Sequence, residues 1–170
     1  MKNYNQFLET KKKTFIESGF DVNEEKLNSN LFDFQKYAVK TALSKGRFAL
    51  FFDCGLGKTL MQLSWSEAVY TKTKKKVLIL APLAVVEQTK DEAAKFGISP
   101  DTFDISNYDQ LKNIDTSIYS GVVLDESSIL KGRDGKLSSM IISEFKNTPY
   151  KLACTATPSP NDHMELGQHS

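Results

Sequence analysis

Arg47-Phe48-Ala49-Leu50-Phe51-Phe52-Asp53-Cys54-Gly55-Leu56-Gly57-Lys58-Thr59 is the stretch that decides the fold of this chain. It opens as a short, nearly all-apolar run, the form expected of a strand buried on both faces of a parallel sheet. A loop with two glycines follows, and at Lys58 a helical pattern begins that extends over 58–70. Strand, glycine loop, Lys-Thr and helix is the layout of a phosphate cradle. Backbone N–H groups must turn inward toward the anion, which asks for glycines that tolerate unusual dihedrals, and the helix N-terminus adds partial positive charge. In that layout Gly55, Leu56 and Gly57 line the phosphates, Lys58 reaches the β and γ oxygens, and the Thr59 hydroxyl ligates Mg²⁺. The Walker A pattern has Gly at its first position, where this chain has Phe52.

Working outward, similar apolar runs recur at 77–81, 121–124 and 150–154, with a weaker one at 102–105. Helical segments are expected between them at 85–96 and 136–145. Alternation of this kind predicts βαβ units, hence an α/β domain with a mostly parallel sheet and helices on both faces. Ligands in such sheets sit beyond the carboxyl ends of the strands. Upstream, Phe34, Tyr37, Ala38, Thr41 and Ala42 recur at helical spacing, which predicts a helix from Asp33 to near Gly46. An imperfect apolar stripe over 4–16 predicts a helical extension within residues 1–30, leaving 31–170 as the domain.

Composition narrows the class. The 170 residues are 40% hydrophobic and 25% charged, enough for one core without disulfide staples. Twenty-two Lys and Arg against 21 Asp and Glu leave a net charge of +1, so contact with nucleic acid must come from a local patch. No run is long and apolar enough to span a bilayer and the first residues lack a signal-peptide core, so no membrane partner and a cytoplasmic location are expected. Cys54 and Cys154 are too far apart to read as a metal-ligand pair and are expected as reduced thiols. His163 and His169 are isolated and read as surface residues.

A second acidic element completes the first. The apolar run at 121–124 ends in Asp125-Glu126. A Walker B acid stands at the end of a strand neighbouring the phosphate loop, where Asp125 holds Mg²⁺ and Glu126 orients or deprotonates the attacking water. Together the two elements read as an ATP site with hydrolytic capacity.

Gly55-Leu56-Gly57-Lys58-Thr59, Asp125-Glu126-Ser127-Ser128 and Thr155-Ala156-Thr157-Pro158 resemble motifs I, II and III of superfamily 2 helicases and translocases. Leu31-Phe32-Asp33-Phe34-Gln35 is similar to the Q motif of the Swi/Snf-type branch, Ala81-Pro82-Leu83 to its motif Ia, and Ile105-Ser106-Asn107-Tyr108-Asp109 to its motif Ib. The resemblance implies a RecA-like first lobe, with ATP and Mg²⁺ as cofactors and double-stranded DNA as partner. It further implies that Gln35 bonds the adenine edge, that Pro82 and Tyr108 face the nucleic-acid backbone, and that Thr155 and Thr157 couple the γ-phosphate to the nucleic-acid groove. Ser128 stands where the family commonly has His. Such motors carry a second lobe with an arginine finger, expected outside this chain, whose two arginines are Arg47, at the start of the phosphate-loop strand, and Arg133, in an expected exposed turn. Two other readings stay open: a phosphotransferase, which needs a lid with several arginines, and a non-catalytic nucleotide- or DNA-binding module.

Overall fold

The structure is a computed structural model and describes residues 18–128 and 135–157. The stripe at 4–16, Arg133, Pro158, His163 and His169 lie outside the described residues. Five strands, β1 (Arg47–Phe51), β2 (Val77–Ala81), β3 (Phe103–Asn107), β4 (Gly121–Leu124) and β5 (Tyr150–Thr155), pair in parallel in the order β1-β5-β4-β2-β3. Among the described residues four α-helices connect or flank them: α1 (Asp33–Lys45), α2 (Lys58–Thr73), α3 (Val86–Lys95) and α4 (Lys136–Glu144). This is the expected α/β, RecA-like architecture.

Side-chain alternation along the strands builds two cores. Val77 and Ile79 of β2, Val123 of β4 and Leu152 of β5 pack with α1 and α2 through Val39, Leu43, Leu63 and Trp65. Leu78, Leu80 and Val122 point the other way, onto Ile141 of α4, Phe145 and the turn that carries Tyr108 and Leu111. Because a strand shows successive residues to opposite faces, β2 is buried throughout. Helices therefore cover both faces, as expected.

The apolar run of β1 departs from its reading. Only Leu50 is buried along it, and Phe51 stays 43% exposed, because β1 stands at the end of the described strand order beside β5. An apolar run at a sheet border looks the same in sequence as a central one. In the stretch preceding α1, a single helical turn forms at Glu24–Lys26. Residues around it are tied to the domain: the Phe20 N–H donates to the Leu43 carbonyl at 2.9 Å, and Asn28 Nδ2 to the Phe96 carbonyl at 2.9 Å. Leu27 and Leu31 are buried in the first core. No helix among the described residues is long and apolar enough to cross a membrane.

Candidate nucleotide site

A parallel sheet gathers all strand carboxyl ends at one border, and the segments at 52–59, 82–83, 108–109, 125–128 and 155–157 leave the strands there. The loop 52–57 leaves β1 and enters α2 with Gly55 at φ 79° and Gly57 at φ 73°. Both lie in the left-handed region that disfavours any side chain. A Cβ on Gly55 would meet open space, whereas one on Gly57 would collide with Gln35 Nε2. Lys58 Nζ donates to the Phe52 carbonyl at 2.9 Å and the Asp53 carbonyl at 3.0 Å, so its ammonium sits inside the loop. The first N–H groups of α2, at Lys58, Thr59 and Leu60, have no intrahelical partner, which leaves donors and positive partial charge at the loop mouth. Cys54 is exposed on the loop.

Gln35 is placed beneath this loop rather than at its rim. Its Oε1 accepts the Phe32 N–H at 2.8 Å, half of a capping box at the start of α1, and its Nε2 donates to the Leu56 carbonyl at 2.9 Å. At 3% exposure the amide braces the phosphate loop with both of its ends engaged inside the protein. Aromatic surface borders the same place: Phe32 and Phe34 stack at 6.2 Å, and Phe34 meets Phe52 at 6.2 Å.

Asp125 and Glu126 follow β4 directly. The Asp125 N–H donates to the Leu80 carbonyl at 2.8 Å, extending the sheet, and its Oδ1 accepts from Gln62 Nε2 at 2.6 Å. Burial pushes the Asp125 carboxyl up from its ordinary value, while the Gln62 hydrogen bond pulls it down. Glu126 leaves the strand with φ 51°, an unusual backbone for a side-chain-bearing residue that costs about 1 kcal/mol. That turn aims its carboxylate at β5: Thr155 Oγ1 donates to Glu126 Oε1 at 2.7 Å, and Ser128 Oγ donates to the same oxygen. Thr155 Oγ1 also accepts the Thr157 N–H at 3.0 Å. Motifs II and III thus touch without a histidine at position 128.

Pro82 follows β2, beside the exposed Leu83. Tyr108 follows β3 but turns inward, 3% exposed, with its hydroxyl donating to the Asp125 carbonyl at 2.7 Å. The phenol does not face outward to a nucleic-acid backbone; burial pushes its pKa well above the ordinary value. An aromatic residue after a strand does not announce its direction. Gln62, which bonds Asp125, is a residue of this site that the sequence reading did not single out. It interrupts the buried run Leu60-Met61-Gln62-Leu63, and a lone amide in such a run was the available signal.

No cluster of three or more His, Cys, Asp or Glu stands ready for a metal among the described residues. Thr59 and Asp125 carry hard oxygens of the kind Mg²⁺ takes, one or two from protein with phosphate and water filling its shell. A groove of about 550 Å³ opens at the opposite border, beside Thr73, Lys75, Ser120 and Thr148, and holds none of the motif residues.

Comparison with known proteins places this geometry. No curated protein sequence matches the chain. Among solved structures, the UvsW helicase of bacteriophage T4 matches 98% of this chain and 65% of its own, at 19% identity and a TM-score of 0.67. The SWI2/SNF2 ATPase core of Sulfolobus solfataricus, solved in complex with double-stranded DNA, matches 92% of this chain and 37% of its own, at 19% identity and a TM-score of 0.71. The Hef helicase domain of Pyrococcus furiosus matches 84% of this chain and 36% of its own, at 21% identity and a TM-score of 0.70. The chain therefore spans between about a third and about two thirds of these structures, and at these identities the likeness is one of fold, a RecA-like α/β domain. Residues 28–131, more than half of the sequence and including motifs I and II, match the family described as "Type III restriction enzyme, res subunit", and the chain belongs to that family.

Proposed function

We propose that this chain is the ATP-binding lobe of a nucleic-acid-dependent ATPase that moves on double-stranded DNA, with hydrolysis completed by a second lobe. One observation carries the reading: Lys58 and Thr59 at the head of α2 and Asp125 and Glu126 at the end of β4 are joined by the Gln62–Asp125 hydrogen bond into one site. A phosphate chain entering the loop exchanges the Phe52 and Asp53 carbonyls on Lys58 for phosphate oxygens, a charge-assisted replacement. Thr59 and Asp125 would hold Mg²⁺, which supplies charge neutralisation at the phosphates. Glu126, braced by Thr155 and Ser128, accepts a hydrogen bond from the attacking water and orients it. Because Thr155 opens motif III, a shift of that segment changes the Glu126 brace, which supports its coupling role. Phe34 and Phe52, beside the loop, offer an apolar seat for the base.

Arg47 does not serve as an arginine finger here. It begins β1, at the border opposite the loop and about 13 Å from it along a five-residue strand. A cation for the γ-phosphate is assigned to a second lobe, whose arginine is worth roughly 10³ to 10⁵ in rate. Double-stranded DNA is favoured as partner by the Swi/Snf-type motifs and by the neighbour solved with duplex. Backbone contact of this kind is salt-dependent and largely sequence-blind. The test is phosphate release by the full-length protein with and without duplex DNA, beside a Lys58→Ala variant. Duplex-stimulated release that Lys58→Ala abolishes is expected; release indifferent to DNA, or to Lys58, refutes the reading.

A further inference from the structure

Asp125 is gripped from two elements that are remote from it in sequence. On one side the Gln62 amide, 1% exposed, donates to its carboxylate; on the other the Tyr108 phenol, 3% exposed, donates to its main-chain carbonyl. Neither polar group is needed to fill space. Gln62 sits between Met61 and Leu63, both fully buried, where an apolar side chain of similar volume would avoid the cost of desolvating an amide. Tyr108 is packed with Leu78, Leu80 and Leu111, and only its hydroxyl leaves that apolar cluster. Buried polar groups are retained where they have a partner to fix. Here both fix the same residue.

The geometry of α2 gives this grip a direction. Gln62 lies three residues after Thr59 and four after Lys58, so all three share one flank of the helix. A carboxylate offers about four lone-pair positions, and Gln62 occupies one. The Glu126 N–H reaches the same carboxylate, and the first turns of α2, which carry Gln62, also carry Thr59, the other expected metal-binding oxygen. The Asp125 N–H is held by the Leu80 carbonyl and its own carbonyl accepts from Tyr108, so the peptide groups on both sides of the side chain are fixed.

We infer that Gln62 and Tyr108 are positioning residues, a two-point clamp that sets Asp125 for the metal of a bound nucleotide. The inference rests on the nucleotide-site reading above. Partners of metal-binding side chains typically change metal affinity 10- to 100-fold when removed. The clamp therefore acts on the part of nucleotide affinity that depends on Mg²⁺ and leaves the Mg²⁺-free part to the phosphate loop. A role in packing alone would lower both parts together, in step with stability.

The experiment measures binding of a fluorescent ATP analogue to the full chain, in Mg²⁺ and in EDTA, for the parent, Gln62→Met and Tyr108→Phe, with urea midpoints for each. Met keeps the volume of Gln and removes the donor. Expected is a loss of at least about tenfold in the Mg²⁺-dependent enhancement for Gln62→Met, a smaller loss in the same ratio for Tyr108→Phe, and EDTA affinities within about twofold of the parent. If Gln62→Met fails to fold, Tyr108→Phe, which deletes a single oxygen, decides alone. An unchanged Mg²⁺ enhancement in the variants, with the parent binding normally, overturns the clamp and spares the functional reading. A parent that binds no nucleotide in either buffer overturns both.

Discussion

Replacing Gly57 by Ala tests the local architecture of the phosphate loop with one methyl group. Two costs follow from its surroundings. At φ 73° an L-residue pays the left-handed penalty, about 1 kcal/mol. The new Cβ also lands on Gln35 Nε2, and the amide must swing away from the Leu56 carbonyl and the Phe32 N–H, losing two hydrogen bonds of about 1 kcal/mol each and leaving buried groups unpaired. The sum is about 3 to 4 kcal/mol, which for a domain of this size lowers Tm by on the order of 10 °C. Gly55→Ala is the control, because it carries φ 79° but open space around its Cβ; it should lose only about 1 kcal/mol. Urea unfolding followed by the single Trp65 gives both values. A Gly57→Ala, Gln35→Ala double mutant then separates the collision from the backbone cost, since the two losses should fall well short of adding. Equal losses at Gly55 and Gly57, or additivity with Gln35→Ala, would refute the brace.

Asp125→Asn, measured without Mg²⁺, should match or exceed the parent in Tm at neutral pH. Burial raises the folded pKa of Asp125, so the parent gains stability as pH falls through that value, and the variant's advantage should vanish below about pH 4. A variant that is less stable than the parent by the same amount at both pH values contradicts this. Cys54, exposed on the loop, should be alkylated at least about 100-fold faster than Cys154, whose thiol is fully buried and pushed up by that burial, and Mg-ATP should protect Cys54. Mass mapping of the label decides, and labelling of Cys54 indifferent to Mg-ATP removes it from the nucleotide's reach. Trp65 Nε1 finds no acceptor among the described residues, so Trp65→Phe should change stability by less than about 1 kcal/mol, the released N–H penalty offsetting lost packing. A loss above about 3 kcal/mol would mean that the indole nitrogen is partnered.

The sequence was most readable where periodicity reports burial. The runs at 77–81 and 121–124 became the inner strands β2 and β4, and the helical spacing from Asp33 became α1, because those patterns record which side chains avoid water. Motif positions were readable too, since a parallel sheet brings strand ends to one border whatever the strand order. Direction and partnership were not. Gln35 and Tyr108 carry polar tips that serve equally well facing a ligand or facing inward, and only the fold decides which. The Gln62–Asp125 contact joins residues far apart in the chain, with no local pattern to betray it. The half-exposed β1 was hidden for the same reason, since neighbours in a sheet are chosen by topology.

That topology gives β5 an unusual share of the work. It lies between β1, which feeds the phosphate loop, and β4, which feeds Asp125 and Glu126, and its own last residue holds Glu126 through Thr155. A tug on the segment after Thr155 therefore reaches the loop and the acid together, through ladders that run along both sides of one strand. Mechanically, β5 is a drawbar: the two halves of the site are hitched to it, and displacement there keeps them in step instead of pulling them apart.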